Sequence, residues 1–266
     1  MRYTQTIGGY VPETRRTRSK KSLALEGMVI LVSILAAFLL EGWRDDRELA
    51  REVSLELVSV GLELERNRDI VLAELGAIDR IVTATDSILL LLSGEPDAEF
   101  IQVADSLAWL VAMWVPTLDP SLGAVEALIS SGRLAQVGDP ELRLGLAGLR
   151  DLYVDVAQEQ EQALAVTSER LWPLFVASPD VGAVRRVSRE FVSIRQEAGL
   201  SPQEQMAGGQ MPHYRLVAFP NGPEVSGVLS LKLMWFEAAI AELDPLLPHL
   251  ERLITLVESE TPAGRP

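Results

Sequence analysis

The chain has 266 residues, 48% of them hydrophobic, no cysteine and a formal net charge of −14. Its first 21 residues net +5, with six Lys/Arg against Glu13, so the remainder carries −19 of that total. An acidic body repels phosphate backbones and disfavours nucleic acid as a partner, while the lack of Cys excludes disulfides, thiolate nucleophiles and Cys-ligated metals.

Arg15, Arg16, Arg18, Lys20 and Lys21 stand directly before an apolar run. Gly27 to Leu40 is uncharged over 14 residues, a rise of about 21 Å as a helix, and short of the ~30 Å hydrocarbon core of a bilayer. Counted from Ser22 to Gly42 the run reaches 21 residues, enough to span if Glu26 and Glu41 meet the two interfaces. Trp43 then falls where an aromatic anchor belongs, ahead of Arg44, Asp45, Asp46 and Arg47. A buried soluble helix and a cleaved signal peptide are the competing readings. No small-x-small cleavage site follows Leu40, so a retained anchor is expected. The excess of Lys/Arg before the run places the N-terminus in the cytoplasm and the acidic body outside. Ser22, Glu26, Ser33, Ala37 and Glu41 share a helical stripe, with Ser33 and Ala37 forming a small-xxx-small pair. Two readings stay open: a face that meets another membrane helix, or a Glu26 that reaches back to the cytoplasmic headgroups beside Lys21.

Beyond the run, Leu49, Val53, Leu57, Val60, Leu64, Val71, Leu75, Ile78, Val82, Leu89 and Leu92 keep helical spacing. The pattern predicts a long amphipathic helix to about Leu92, stopped by Ser93-Gly94-Glu95-Pro96. Asn67 interrupts its buried stripe, either fixing register or marking a local shift of the face. Residues 98–114 read as a second helix, with Trp109 and Trp114, closed by Pro116. Asp119-Pro120 has the form of an N-cap and first turn, opening a short helix that ends at Ser130-Ser131-Gly132. Asp139-Pro140 repeats the start signal for a longer helix carrying Leu142, Leu146, Leu149, Tyr153, Val156, Ala163, Thr167 and Leu171 on one face. Residues 176–222 are the least regular, with a capping-box pattern at Ser201 to Glu204. A last helix starts near Pro223, repeats in heptads and is kinked by Pro245 and Pro248. Arg215 to Phe219 is the one strand candidate, and it has no evident partner.

The expected fold is therefore all-α: an N-terminal single transmembrane helix running into an up-and-down helical bundle. Residues 1–21 form a basic cytoplasmic head, 22–43 the transmembrane helix, 44–260 a helical extracytoplasmic domain and 261–266 a disordered tail. The only histidines, His213 and His249, belong to no HExxH or Glu-x-x-His pattern, and no Walker A, GxGxxG or GxSxG motif is present. No catalytic residue, cofactor or metal is expected.

Glu26, the apolar run, Trp43, the segment Ile129-Ser-Ser-Gly-Arg-Leu134 and the helix start Asp139-Pro-Glu-Leu-Arg143 together resemble a bacterial single-pass, membrane-anchored family of unknown function. In that family a glutamate precedes the span, a tryptophan follows it, and an ISSGxL helix end leads into a DxxLR start. Leu39 to Gly42 departs from the family, whose members carry Gln and Asn before the Trp. The resemblance implies a bacterial inner membrane, a periplasmic helical body and no established activity. Ser130, Ser131, Gly132, Arg133 and Arg143 form either a structural corner, the arginines making ion pairs, or a docking corner for a partner. The leading expectation is a non-catalytic, membrane-anchored interaction protein of the envelope, held by lipid and by a twin copy or another envelope protein. The alternative is a periplasmic bundle that senses a small molecule near Trp109, Trp114 and Tyr153 and acts through a separate membrane partner.

Overall fold

The computed structural model describes residues 20–198 and 215–261, with the side chains of 20–24, 26, 27 and 194–198 excepted. It is mostly helical. By its contacts the chain divides into two units, Met1–Arg51 and Glu52–Pro266. The basic head to residue 19, the capping-box pattern at Ser201 to Glu204, His213 and the tail from residue 262 lie outside the described residues.

Helix α1 runs from Lys20 to Gly94, ending where the Ser-Gly-Glu-Pro breaker was expected to stop it. In the first unit its apolar side chains are bare: from Met28 to Leu40 every large apolar residue is 48–76% exposed. From Val53 onward the same helix is one-sided, with Val53, Leu57, Val60, Leu64, Val71 and Ile78 buried. Among the described residues, no helix is long and apolar enough to cross a membrane. Within the expected span the uncharged run Gly27–Leu40 rises about 21 Å at ~1.5 Å per residue.

In the second unit, strand β1 (Phe100–Ala104) precedes α2 (Asp105–Met113), and β2 (Leu216–Pro220) pairs with β1 antiparallel, Gln102 opposite Ala218. This corrects two expectations. The helix expected over 98–114 begins only at Asp105, and the strand at 215–219 has its partner in Phe-Ile-Gln-Val-Ala. Ile101 and Val103 point inward from β1, each 2% exposed, in the alternation a half-buried strand requires. The far edge of β2 is covered, since Ser178 Oγ donates to Ala218 O and Ala218 N donates to Asp180 Oδ2. That occupies the outer edge of β2 at Ala218.

Helix α3 (Gly123–Ser130) leads through a 3₁₀ turn, Arg133–Gln136, to α4 (Pro140–Ala165), and a wide π-type turn over Val166–Leu171 joins α4 to α5 (Trp172–Val176). The Asp139-Pro140 start signal holds: Leu142 N donates to Asp139 Oδ1 at 2.9 Å, with Pro140 in the first turn. Helix α6 (Val181–Ala198) lies inside the stretch expected to be irregular, and it buries Val184, Val187 and Phe191. Helix α7 (Pro223–Glu260) passes through Pro245 and Pro248 without a break in its buried face, which includes Leu243, Leu246 and Leu250.

Glycines let α7 approach its neighbours closely. A Cβ at Gly61 would lie 3.2 Å from Val257 Cγ1, and one at Gly145 would run into Leu253 Cδ2, whereas one at Gly148 meets nothing within 4 Å. Gly145→Ala is therefore expected to destabilise the fold by about 1–3 kcal/mol by displacing the buried Leu253 side chain from its packing. Gly148→Ala, one turn away, should stabilise it by about 0.5–1 kcal/mol through helix propensity alone. Denaturant unfolding of the two variants beside the parent checks both signs.

Candidate functional site

Five polar residues of α1 bond to the rest of the body, Glu52, Glu56, Glu63, Asn67 and Glu74, spaced alternately four and seven apart. Eleven residues make almost three whole turns, so these positions share one stripe. The first four bond to the connection between α2 and α4, and Glu74 accepts from α4 itself. Glu63 accepts from Ser121 Oγ at 2.8 Å and from the Ala124 and Val125 amides, each at 3.0 Å. Asn67 clamps the Ser121 backbone, donating from Nδ2 to its carbonyl at 2.6 Å and accepting from its amide at Oδ1 at 2.9 Å. Gln160 of α4 accepts from Leu118 N at 2.7 Å and donates to Glu74 Oε1 at 2.6 Å. Arg133 reaches back to both Glu52 and Glu56.

Asp119 was expected to cap α3, and the structure corrects this. The helix starts four residues later, its N-cap Leu122 makes no side-chain bond, and the carboxylate that meets the first-turn amides is Glu63, about sixty residues earlier in the chain. A carboxylate there satisfies orphan N–H groups and complements the positive end of the helix dipole. Asn67, read as a register or face-shift signal, is 0% exposed because it closes this clamp. Tyr153 stands beside it, with burial pushing its hydroxyl pKa well above the ordinary value, Asn67 opposing and the Glu63 charge adding to the rise.

At the expected corner, Gly132 adopts a left-handed φ of 74°, which closes α3 as a C-terminal glycine does. The Ser130 and Ser131 hydroxyls donate to Ala127 O and Leu128 O of their own helix. Arg133 makes ion pairs, as one of the two readings had it. Arg143 instead donates to the Val137 and Gly138 carbonyls. In the first unit Ser33 Oγ donates to Val29 O at 2.8 Å, Ala37 and Glu41 are exposed, and Arg47 sits 4.6 Å over the Trp43 ring. The side chains of Glu26, Lys20 and Lys21, and the residues Arg15, Arg16 and Arg18, lie outside the description.

Trp109 and Trp114 stack at 6.3 Å, and Phe191 of α6 packs at 4.8 Å from the first and 6.3 Å from the second. Under this cluster lies Lys232, 0% exposed, whose Nζ donates to Val111 O at 2.6 Å and Trp114 O at 3.2 Å, 5.5 Å from the Phe236 ring. Sequence reading passed over this residue. Its position between Leu229 and Phe236 on the buried heptad face was the available signal. Its ammonium satisfies the end of α2, and burial alone pushes its pKa down to about 7. Among the described residues no group of three or more His, Asp or Glu is placed to hold a metal ion.

No protein family, curated protein or solved structure matches the chain.

The Lys232 shift fixes the sign of a pH effect. The unfolded chain holds the Lys232 proton up to an ordinary value of 10.5 and the folded chain releases it near 7, so between these values the unfolded state binds more protons. Stability should therefore rise as pH goes from about 7 to about 9.5, by up to ~1.4 kcal/mol per pH unit. Lys232→Met should remove that rise. Denaturant midpoints at three pH values for parent and variant provide the check.

Proposed function

We propose that the chain is a non-catalytic, membrane-anchored helical interaction protein of the bacterial envelope, with its N-terminus cytoplasmic and its body periplasmic. The observation that carries this reading is the bare apolar surface of α1 from Met28 to Leu40, exposed at 48–76% on all sides of the helix. A helix that is apolar all round belongs in lipid or in a protein core, and such side chains lose about 1.5–3 kcal/mol each when left in water. Ser22 to Gly27 completes the length a span needs, and the basic residues before it set the orientation. The resemblance to the single-pass family supports the same placement.

The assembly part of the proposal rests on a second stripe. Leu55, Val58 and Leu62, at i, i+3 and i+7 on the side of α1 away from its core face, are 65%, 42% and 63% exposed. A twin copy anchored in the same membrane presents the same stripe at the same height, which suits a parallel, self-complementary contact. Lipid and a second copy are thus the proposed partners.

The absence of native cysteine makes both parts testable. In intact cells with a permeabilised outer membrane, an impermeant maleimide should label Ser259→Cys and leave Thr6→Cys unlabelled until lysis. Labelling of neither before lysis would remove the anchor and the periplasmic body together. Val58→Cys should form a disulfide-linked dimer on mild oxidation, and Leu62→Asp in the same chain should abolish it.

A further inference from the structure

Between α3 and α4 lies a groove of about 260 Å³. Its floor is Val125 and Leu146, 2% and 1% exposed, and Leu122, Ile129 and Ala147 complete its apolar lining. Two charges stand at its rim, one from each helix: Glu126 of α3 and Arg150 of α4, paired to each other and 49% and 67% exposed. An exposed pair of this kind contributes little to stability, so it opens readily. The volume is below that of pockets for drug-sized ligands, about 300–1,000 Å³, and suits something smaller.

We propose that this groove binds a small zwitterion with an apolar side chain, an aliphatic or aromatic α-amino acid, its carboxylate on Arg150, its ammonium on Glu126 and its side chain on the Val125–Leu146 floor. Charge complementarity selects this occupant. A ligand with an anion alone would take Arg150 and leave Glu126 without its cation. An uncharged ligand would use neither group. A zwitterion replaces one ion pair with two, and the guanidinium offers a bidentate fork to the carboxylate. The site also has a route outward, since α3 is fastened to α1 at its start by Glu63 and beyond its end by Arg133. A ligand that parts α3 from α4 therefore pulls on α1. All of these residues lie in the Glu52–Pro266 unit, so the inference stands apart from the membrane reading.

The test is calorimetric titration of the full chain in detergent micelles with L-leucine and L-phenylalanine, beside leucine amide, N-acetyl-leucine, N-acetyl-leucine amide and octanoate. Saturable binding of at least one amino acid is expected, weakened about tenfold or more when either of its charges is blocked. Arg150→Ala and Glu126→Ala, both at exposed rim positions, should each weaken it to a similar degree with helicity unchanged, and Ala147→Trp should abolish it by filling the groove. No saturable binding of either amino acid up to about 10 mM by natively helical protein would overturn the proposal. So would unchanged binding by Arg150→Ala. Octanoate or N-acetyl-leucine amide binding as well as leucine would overturn it too, and would make the groove a slot for an amphiphile or for a partner's side chain.

Discussion

The carboxylate of Glu63 at the start of α3 is the contact on which the arrangement of the body turns. An eight-residue helix is too short to be stable alone, and its first amides need acceptors. Here the acceptor comes from α1, so α3 forms only where α1 is already in place. Asn67 fixes the preceding turn through Ser121, Gln160 ties Leu118 to α4, and Arg133 fastens the exit to Glu52 and Glu56. A slip of α1 by one residue would rotate the whole polar stripe by about 100° away from these partners. The apolar seam alone tolerates more adjustment, because its contacts are not directional.

Helix α1 also carries two kinds of surface. From Met28 to Leu40 it exposes large apolar side chains all round, and from Val53 onward it buries one face and exposes the other. The same backbone serves both because a helix satisfies its own hydrogen bonds whatever lies around it. Only the side chains distinguish the two regimes, and this is why they are readable from sequence.

Local signals were the legible ones. The end of α1 at Gly94, the Asp139 cap, the left-handed Gly132 and the start at Pro223 follow from residues within a turn of the feature they specify. Strand β1 was read as helix because Phe-Ile-Gln-Val-Ala is too short for its period to decide, and its pairing depends on a strand more than a hundred residues away. Helix α6 was lost among Gly and Pro in the residues flanking it, although Val184, Val187 and Phe191 keep helical spacing. The polar stripe escaped notice for a different reason. Glu52, Glu56, Glu63 and Glu74 look like ordinary solvent-facing acids until their partners, which come from residues 121 to 160, are brought against them. The groove between α3 and α4 has the same character, since Glu126 and Arg150 meet only after both helices are placed.

Amide hydrogen exchange on Glu63→Ala beside the parent protein tests most directly whether α1 holds α3 in place. The account predicts that the Ala124 and Val125 amides, which donate to Glu63, lose most of their protection, with Ser121 following, while amides in the middle of α4 and α7 keep theirs. Unchanged protection at Ala124 and Val125 would show that α3 stands without the carboxylate, contradicting the account. Equal loss throughout the body would contradict it as well, because Glu63 would then support global stability rather than this helix.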